Sequence, residues 1–350
     1  MGDESVRVTT APRSGIQDVA TLAGVSPATV SRSLSGHTNV APQTRQRVLD
    51  AARELSYVVS PQASSLASGR TRAVAVVVPF ITRWYFSTVV AGVASVLRKG
   101  GYDAVLYHLG SAKDRDHFFE RMPLARRVDG ILTLSMPLND EHTLALRALD
   151  IPLVSVGAHV PGSASVRIDE AAAAQTAVNH LIHQGHQQIG FIAGAPDDPA
   201  FEFVASPHRR RGYEHALQTA GLAVDHDLMV TGSYGVHGGA AAMARLLSGP
   251  VLPTAVFAEY DELAIGALWA LRRASVPVPQ AMSVVGIDDH EMAEVHDLTT
   301  VAQDAREQGV VAAWRLLRAL YDHPVGATDD DVVLSSSLVL RGTTAPPRTH

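Results

Sequence analysis

In the stretch VSPATVSRSLSG, residues 25–36, the side chains able to form hydrogen bonds are Ser26, Thr29, Ser31, Ser33, Ser35 and one long donor, Arg32. Short hydroxyls and a single guanidinium suit phosphate oxygens and base edges, where bulk would prevent close approach. Ser26 can accept a bond from the free amides of a first helical turn, and Pro27 fits the first helical position because its φ is already helical. Val30 and Leu34 form an apolar pair at i, i+4, so the helix has one thin apolar edge and an otherwise low, polar face.

A helix of this kind must be held by others. Ile16, Val19, Ala20 and Ala23 fall at i, i+3, i+4, i+7, which predicts a short helix with one apolar face. Gly24-Val25 breaks that pattern at a tight turn, residues 26–34 form the second helix, and Gly36 stops it. A third helix is expected from about 42 to 55, with Val48, Ala52 and Leu55 on one side. Two short helices, a tight turn and a third packing helix make a helix-turn-helix, in which the second helix enters the major groove.

Composition sets the frame for the rest. A chain of 350 residues that is 46% apolar can hold two or three domains with real cores. Its longest apolar run is about nine residues, 73–81, far short of a membrane span. The opening MGDESVRVTT has no apolar stretch, so no signal peptide is expected. Cysteine is absent, which removes disulfides and thiolate metal sites and suits a reducing cytoplasm. The net charge of −6 is unevenly spread: residues 1–72 hold eight Arg against five Asp plus Glu, net +3, leaving −9 on the remaining 278. A basic head on an acidic body fits local attraction to phosphates.

The segment IQDVATLAGVSPATVSRSLSG, followed by VAPQTRQRVLDAARELSYVVSPQASSLASGRTRAVAVVVP, resembles the DNA-binding head of the lactose/galactose repressor (LacI/GalR) family. The likeness is nearly gap-free from 16 to 79 and continues more loosely to LRGTTAPP, residues 340–347. The resemblance implies that Pro27 and Ala28 choose bases, while Ser26 starts the reading helix and Thr29, Ser31 and Arg32 make the shared contacts to bases and phosphates. Arg32 could grip a guanine with two bonds, worth ~1–3 kcal/mol of discrimination. Ala41 stands where the family often caps the third helix with Ser, a loss of about 1 kcal/mol that leaves function untouched. By composition residues 60–71, SPQASSLASGRT, read as a flexible linker. The resemblance makes them a hinge helix that forms on DNA, with Ala63 on the minor-groove side and Leu66 as the wedge between central base pairs.

From residue 73 the pattern changes. Strand runs at 73–79, 103–109, 130–135, 151–157, 188–194, 254–259 and 282–288 alternate with helical stretches. These helices are expected at 85–99, 114–127, 140–149, 171–184, 209–220, 238–248, 261–274 and 304–321. Alternation on this scale predicts parallel sheets with helices on both faces. Two such half-domains fit the architecture that the resemblance implies, so the expected fold class is an all-α helix-turn-helix head plus an α/β, periplasmic-binding-protein-like regulatory body of two parallel-sheet subdomains. The expected domains are a head over 1–59, a hinge over 60–71 and a body over 72–350. The body divides into an N-subdomain, about 72–167 plus 304–328, and a C-subdomain, about 168–303 plus 329–347.

The resemblance also places an effector cleft between the two subdomains. HRRRGY (208–213) supplies Arg209 as an anchor for effector oxygens, and VVGIDD (284–289) puts Asp288 at a strand end facing the cleft. YDELAIGAL (260–268) carries Tyr260 where the family usually has Asn. Tyr85 and Phe86, from WYF, can stack on a flat or sugar-like ligand. Ser135, Asp169, Tyr234 and Gln303 align with further lining positions. Such a set suits a polyhydroxylated or anionic molecule, and the family favours a sugar or sugar derivative.

Other chemistry fades on inspection. His183 and His186 in HQGHQQ are spaced like ligands, but Gly185 breaks the helix and no carboxylate stands nearby in sequence, so a surface turn is expected. The DDD run at 329–331 reads as a solvated loop. No G-x-S-x-G, Walker or G-x-G-x-x-G motif occurs, and no metal or cofactor is expected. The reading is a homodimeric repressor of double-stranded operator DNA, controlled by a small-molecule effector, with no enzyme activity and no membrane partner. An activator of the same parts, and a solute-binding or sugar-processing protein of the same body fold, are the alternatives.

Overall fold

The computed structural model describes residues 14–34, 40–57, 69–136, 138–195, 204–321 and 331–348. The chain divides into two compact units, Met1–Thr71 and Arg72–His350. Ala63 and Leu66 lie outside the described residues.

The first unit holds α1 (Ile16–Ala23), α2 (Pro27–Leu34) and α3 (Pro42–Glu54). Gly24 ends α1 at φ 64°, the left-handed turn that glycine adopts without strain. Val19, Ala20, Ala23, Val30, Val48, Ala51 and Ala52 form the core, with Ile16, Leu34, Leu55 and Tyr57 packed against it. Ala41 gives α3 no side-chain cap, as expected.

The second unit is built on two six-stranded sheets. Its first half contains β1 (Ala73–Val78), α4 (Trp84–Lys99), β2 (Asp103–His108), α5 (Ala112–Arg121) and β3 (Gly130–Leu134). It continues through α6 (Asp140–Arg147), β4 (Leu153–Val156) and β5 (Ala164–Ile168). The second half contains α7 (Glu170–His183), β6 (Ile189–Ala195), α8 (Ala205–Thr219), β7 (Met229–Ser233) and α9 (Gly235–Leu247). After these come β8 (Ala255–Ala258), α10 (Asp261–Arg273), β9 (Ser283–Asp288), α11 (Glu291–Val295) and β10 (Thr299–Ala302). The chain then returns through α12 (Ala305–Tyr321), β11 (Asp331–Leu334) and β12 (Ser337–Val339).

The sheet orders are β11-β5-β4-β3-β1-β2 and β12-β10-β9-β8-β6-β7. All pairings are parallel except β10 with β12. The apolar clusters of β1 with α4 and α12, and of β1 with α5, cover opposite faces of the first sheet. In the second sheet α7 and α8 cover one face and α9 and α10 the other. This is the expected α/β body.

Two expectations about its boundaries change. Residues 331–334 pair in register with 165–168, so they belong to the first sheet and not to the C-subdomain. The chain crosses for the third time after Leu334, and β12 then joins the second sheet. Asp331 is exposed, as expected, but it lies in a strand and not a loop: it accepts bonds from the Ser165 hydroxyl and from Arg167 Nη2 at 3.3 Å, and pairs with His159 at 3.1 Å. The short strands β5, β7, β10, β11 and β12 were not legible as apolar runs because they carry Ser, Thr, Gly or Asp. Buried Ser165, Thr299 and Thr300 sit there without penalty because each is hydrogen-bonded.

Candidate functional site

The head presents α2 as expected. Ser26 Oγ accepts from the Thr29 amide at 3.2 Å, and Ser26, Pro27, Ala28 and Arg32 are exposed while Thr29 and Ser31 are half-buried. Arg32 folds back along the helix, its Nε donating to the Ala28 carbonyl at 3.2 Å. A guanidinium on an exposed surface can swing from such a bond to a base edge at little cost. Ser33 departs from the polar face: it is 3% exposed and its hydroxyl donates to the Thr29 carbonyl at 2.7 Å. With Val30 it forms the core edge, because a hydroxyl bonded back to the helix can be buried cheaply.

In the body, the candidate residues collect where the strands of both sheets end. Ser135 follows β3, Tyr260 follows β8, Asp288 ends β9 and Gln303 follows β10. Tyr85 and Phe86 enter from the first turn of α4, Arg209 from α8 and Tyr234 from the start of α9. All eight border one cleft that is partly open to solvent. Carboxyl ends of parallel strands are where open α/β sheets bind ligands.

Arg209 is the centre of an ionic knot. It is 5% exposed, its Nε donates to Glu170 at 2.6 Å, its Nη1 donates to the Glu259 carbonyl at 2.6 Å, and its Nη2 lies 3.9 Å from Asp288. Burial alone would lower its pKa, but the carboxylates of Glu170 and Asp288 hold it charged above its ordinary value. Asp288 is pushed well above the usual carboxylate range by burial, with Arg209 pulling the other way. Its φ of 135° lies in a region that non-glycine residues rarely adopt. Strain of this kind is retained where the surroundings over-determine a side chain's position.

From Asp288 a chain of hydrogen bonds crosses to the first half of the body. Gln303 Nε2 donates to Asp288 at 2.6 Å, Gln308 Nε2 donates to Gln303 Oε1 at 2.9 Å, and the Tyr85 hydroxyl donates to Gln308 Oε1 at 2.8 Å. Burial drives the Tyr85 phenol upward, so its proton stays in place to donate. Tyr234 and Tyr260 stack at 5.5 Å, and the Arg83 guanidinium lies 3.8 Å from the centre of the Tyr234 ring. Beneath the floor, Asp261 accepts from Thr300 Oγ1 at 2.7 Å and the His290 amide at 2.9 Å, and burial pushes it up to about 7.

Asp169 does not belong to the cleft. It is exposed and caps α7, its carboxylate accepting from the Ala172 amide at 2.9 Å. Capping turns that side chain back over its own helix, and Glu170, one residue on, reaches Arg209 instead. Arg83, Glu170, Glu259, Glu262 and the relay residue Gln308 were missed. Glu259 had a signal: it is the single charge closing the apolar run TAVFAE. Gln308 had none, since a polar residue in the first turns of a helix reads as solvated. The pair at 183 and 186 also resolves differently: His186 is 2% exposed and no surface turn, its ring bonding Thr254, Ser283 and the Ala345 carbonyl. No metal-binding cluster occurs among the described residues.

Residues 15–60 match the bacterial regulatory proteins of the lacI family, and residues 178–344 match the periplasmic binding protein-like domain. The HTH-type transcriptional repressor CytR of Escherichia coli (strain K12) is 32% identical over 333 residues, covering 94% of this chain and 96% of that protein. Among solved structures, the Lac repressor dimer bound to operator and the anti-inducer ONPF superimposes with a TM-score of 0.83 at 27% identity, over 95% of this chain and 100% of that one. The transcriptional regulator CelR–cellobiose complex gives 0.69 at 31% identity, over 95% and 100%.

Proposed function

The chain belongs to the lacI family of bacterial regulatory proteins, and from that premise we propose that it is a repressor whose grip on its operator is set by a sugar or sugar derivative bound in the cleft. It is a DNA-binding transcriptional regulator, not an enzyme, and it works as a dimer on operator DNA with a small-molecule effector. Among the described residues no helix is long and apolar enough to cross a membrane, and a regulator of this kind acts in the cytoplasm, where its DNA lies.

The reading of the cleft rests on one observation: Tyr85, Gln308, Gln303 and Asp288 form a continuous hydrogen-bonded chain between the two halves of the body, ending beside Arg209. A ligand that engages Asp288 and Arg209 therefore acts on both halves at once, and favours one relative orientation of them. Coupling between effector and operator is reciprocal and typically 1–3 kcal/mol, so effector should change operator affinity by about 5–150-fold and operator should change effector affinity equally. The test is an operator titration with and without effector. Asp288→Asn and Arg209→Gln should abolish the response to ligand while ligand-free operator binding stays within a few-fold of wild type. Variants that respond normally would remove these residues from the effector site.

A further inference from the structure

The cleft is unbalanced in charge. Two guanidinium groups, Arg83 and Arg209, face four carboxyl groups, those of Glu170, Glu259, Glu262 and Asp288. Arg209 is spent on Glu170 and the Glu259 carbonyl, while Arg83 lies over the Tyr234 ring and its buried Nε has no hydrogen-bond partner among the described residues. Burial raises Glu259, Glu262 and Asp288 above the usual carboxylate range, each being short of solvation. A phosphate entering here would add like charge to a site of low dielectric, where repulsion is strong.

Tyr260 points to a ligand independently. It is 9% exposed, it borders the cleft, and its hydroxyl has no hydrogen-bond partner among the described residues. Burial holds the phenol protonated, so it is a donor awaiting an acceptor. Among the four carboxyl groups Glu262 differs. Glu170 is bonded to Arg209, Glu259 to the Gly194 amide and Asp288 to Gln303. Glu262 has no hydrogen bond or ion pair among the described residues, and Arg83 is the cation acting on it.

We propose that the cleft selects an uncharged effector, rich in hydrogen-bond donors and offering one acceptor to Tyr260, and that Glu262 enforces rejection of phosphorylated molecules. This rests on the cleft being the effector site. The donors of such a ligand satisfy the free carboxylate oxygens, and its acceptors satisfy the Tyr260 hydroxyl and the Arg83 Nε. Glu262 acts by its charge, and Tyr260 by its hydroxyl.

The experiment is a thermal-unfolding screen of the full chain against ribose, glucose, uridine and cellobiose. Ribose 5-phosphate, glucose 6-phosphate, uridine 5′-monophosphate and inorganic phosphate are run beside them at equal ionic strength, and hits are titrated by calorimetry. At least one uncharged compound should raise the unfolding temperature, and its phosphorylated counterpart should bind about 100-fold more weakly or not at all. Glu262→Gln should cut that discrimination about tenfold. Tyr260→Phe should weaken the uncharged ligand about tenfold without lowering the unfolding temperature of the ligand-free protein, since the hydroxyl makes no bond in the fold. A phosphorylated compound that binds as tightly as its uncharged partner overturns the proposal, as does Glu262→Gln with discrimination intact. Stabilisation by inorganic phosphate that Arg209→Gln abolishes would make this an anion site and overturn it too. If no compound of either kind shifts the unfolding temperature, the effector assignment of the cleft falls, and this proposal with it.

Discussion

A polar side chain deep in this molecule is tolerated where partners meet it, and His186 shows this outside the cleft. Its ring nitrogens bond the Thr254 hydroxyl at 2.9 Å, the Ser283 hydroxyl at 3.2 Å and the Ala345 carbonyl at 2.9 Å, tying α7, β9 and the C-terminal tail together. Burial lowers its pKa, against a smaller raising effect of the Ala345 carbonyl. The folded state therefore holds this proton more weakly than the unfolded chain. That favours the folded state least in acid: stability is present above the ordinary histidine value of about 6.5 and is lost as pH falls below it. Glu259, Asp261 and Asp288 are shifted upward and contribute the opposite slope. The histidine's share is thus a difference between proteins. His186→Gln should cost about 1–3 kcal/mol in urea unfolding at pH 7.5 and should lose less stability than wild type between about pH 6.5 and 5. Parallel curves for the two proteins would show that His186 takes up its proton equally in the folded and unfolded chains, and so overturn the downward shift.

The helix α12 holds Gln308, the link between Gln303 and Tyr85, and packs along α4 beside it. The two helices touch backbone to backbone. A Cβ at Gly92 would lie 2.2 Å from the Arg306 carbonyl oxygen, and a Cβ at Gly309 would lie 2.2 Å from the Val89 carbonyl oxygen. Neither obstacle is a flexible side chain, so both helices would have to separate. Gly309→Ala should destabilise by about 1–3 kcal/mol in chemical denaturation, as overpacking does. It should also lengthen the adjacent Tyr85–Gln308 bond and so weaken effector coupling. A Gly309→Ala protein of wild-type stability would mean that α4 and α12 separate freely. The head is assembled on the opposite principle: α2 gives its neighbours only Val30, Ser33 and the edge of Leu34, which leaves its outward face free for DNA.

At the scale of the whole molecule, we propose that charge and wedge divide the work on DNA. The basic head supplies attraction that is independent of sequence, with net +3 on residues 1–72 against −9 on the rest. Leu66 lies outside the described residues, and the wedge role is what the family resemblance implies for it, in keeping with its isolation among small polar neighbours in SPQASSLASGRT. A wedge gains only where the central base step can be kinked. Leu66→Ala should therefore weaken operator binding by at least about tenfold while binding to random DNA at the same salt stays unchanged. Equal losses on both DNAs would assign Leu66 to general attraction and remove the wedge.

The sequence by itself determined the parts governed by local periodicity. The i, i+3, i+4, i+7 pattern from Ile16 to Ala23, the Ser26-Pro27 start and the apolar runs at 73–78 and 283–288 each encode their element, because propensity and burial agree within a few residues. Tertiary structure decided what depended on contacts between distant residues. Asp169 and Glu170 are chemically alike, and only the cap geometry of α7 sends one to solvent and the other to Arg209. Gln308 is an ordinary helical polar residue until α12 sets it between Tyr85 and Gln303. Asp331 joins the first sheet because Ser165 and Arg167 wait 166 and 164 positions earlier in the chain. Polar side chains can be buried only where partners meet them, and those partners are supplied by the fold, which no short window of sequence contains.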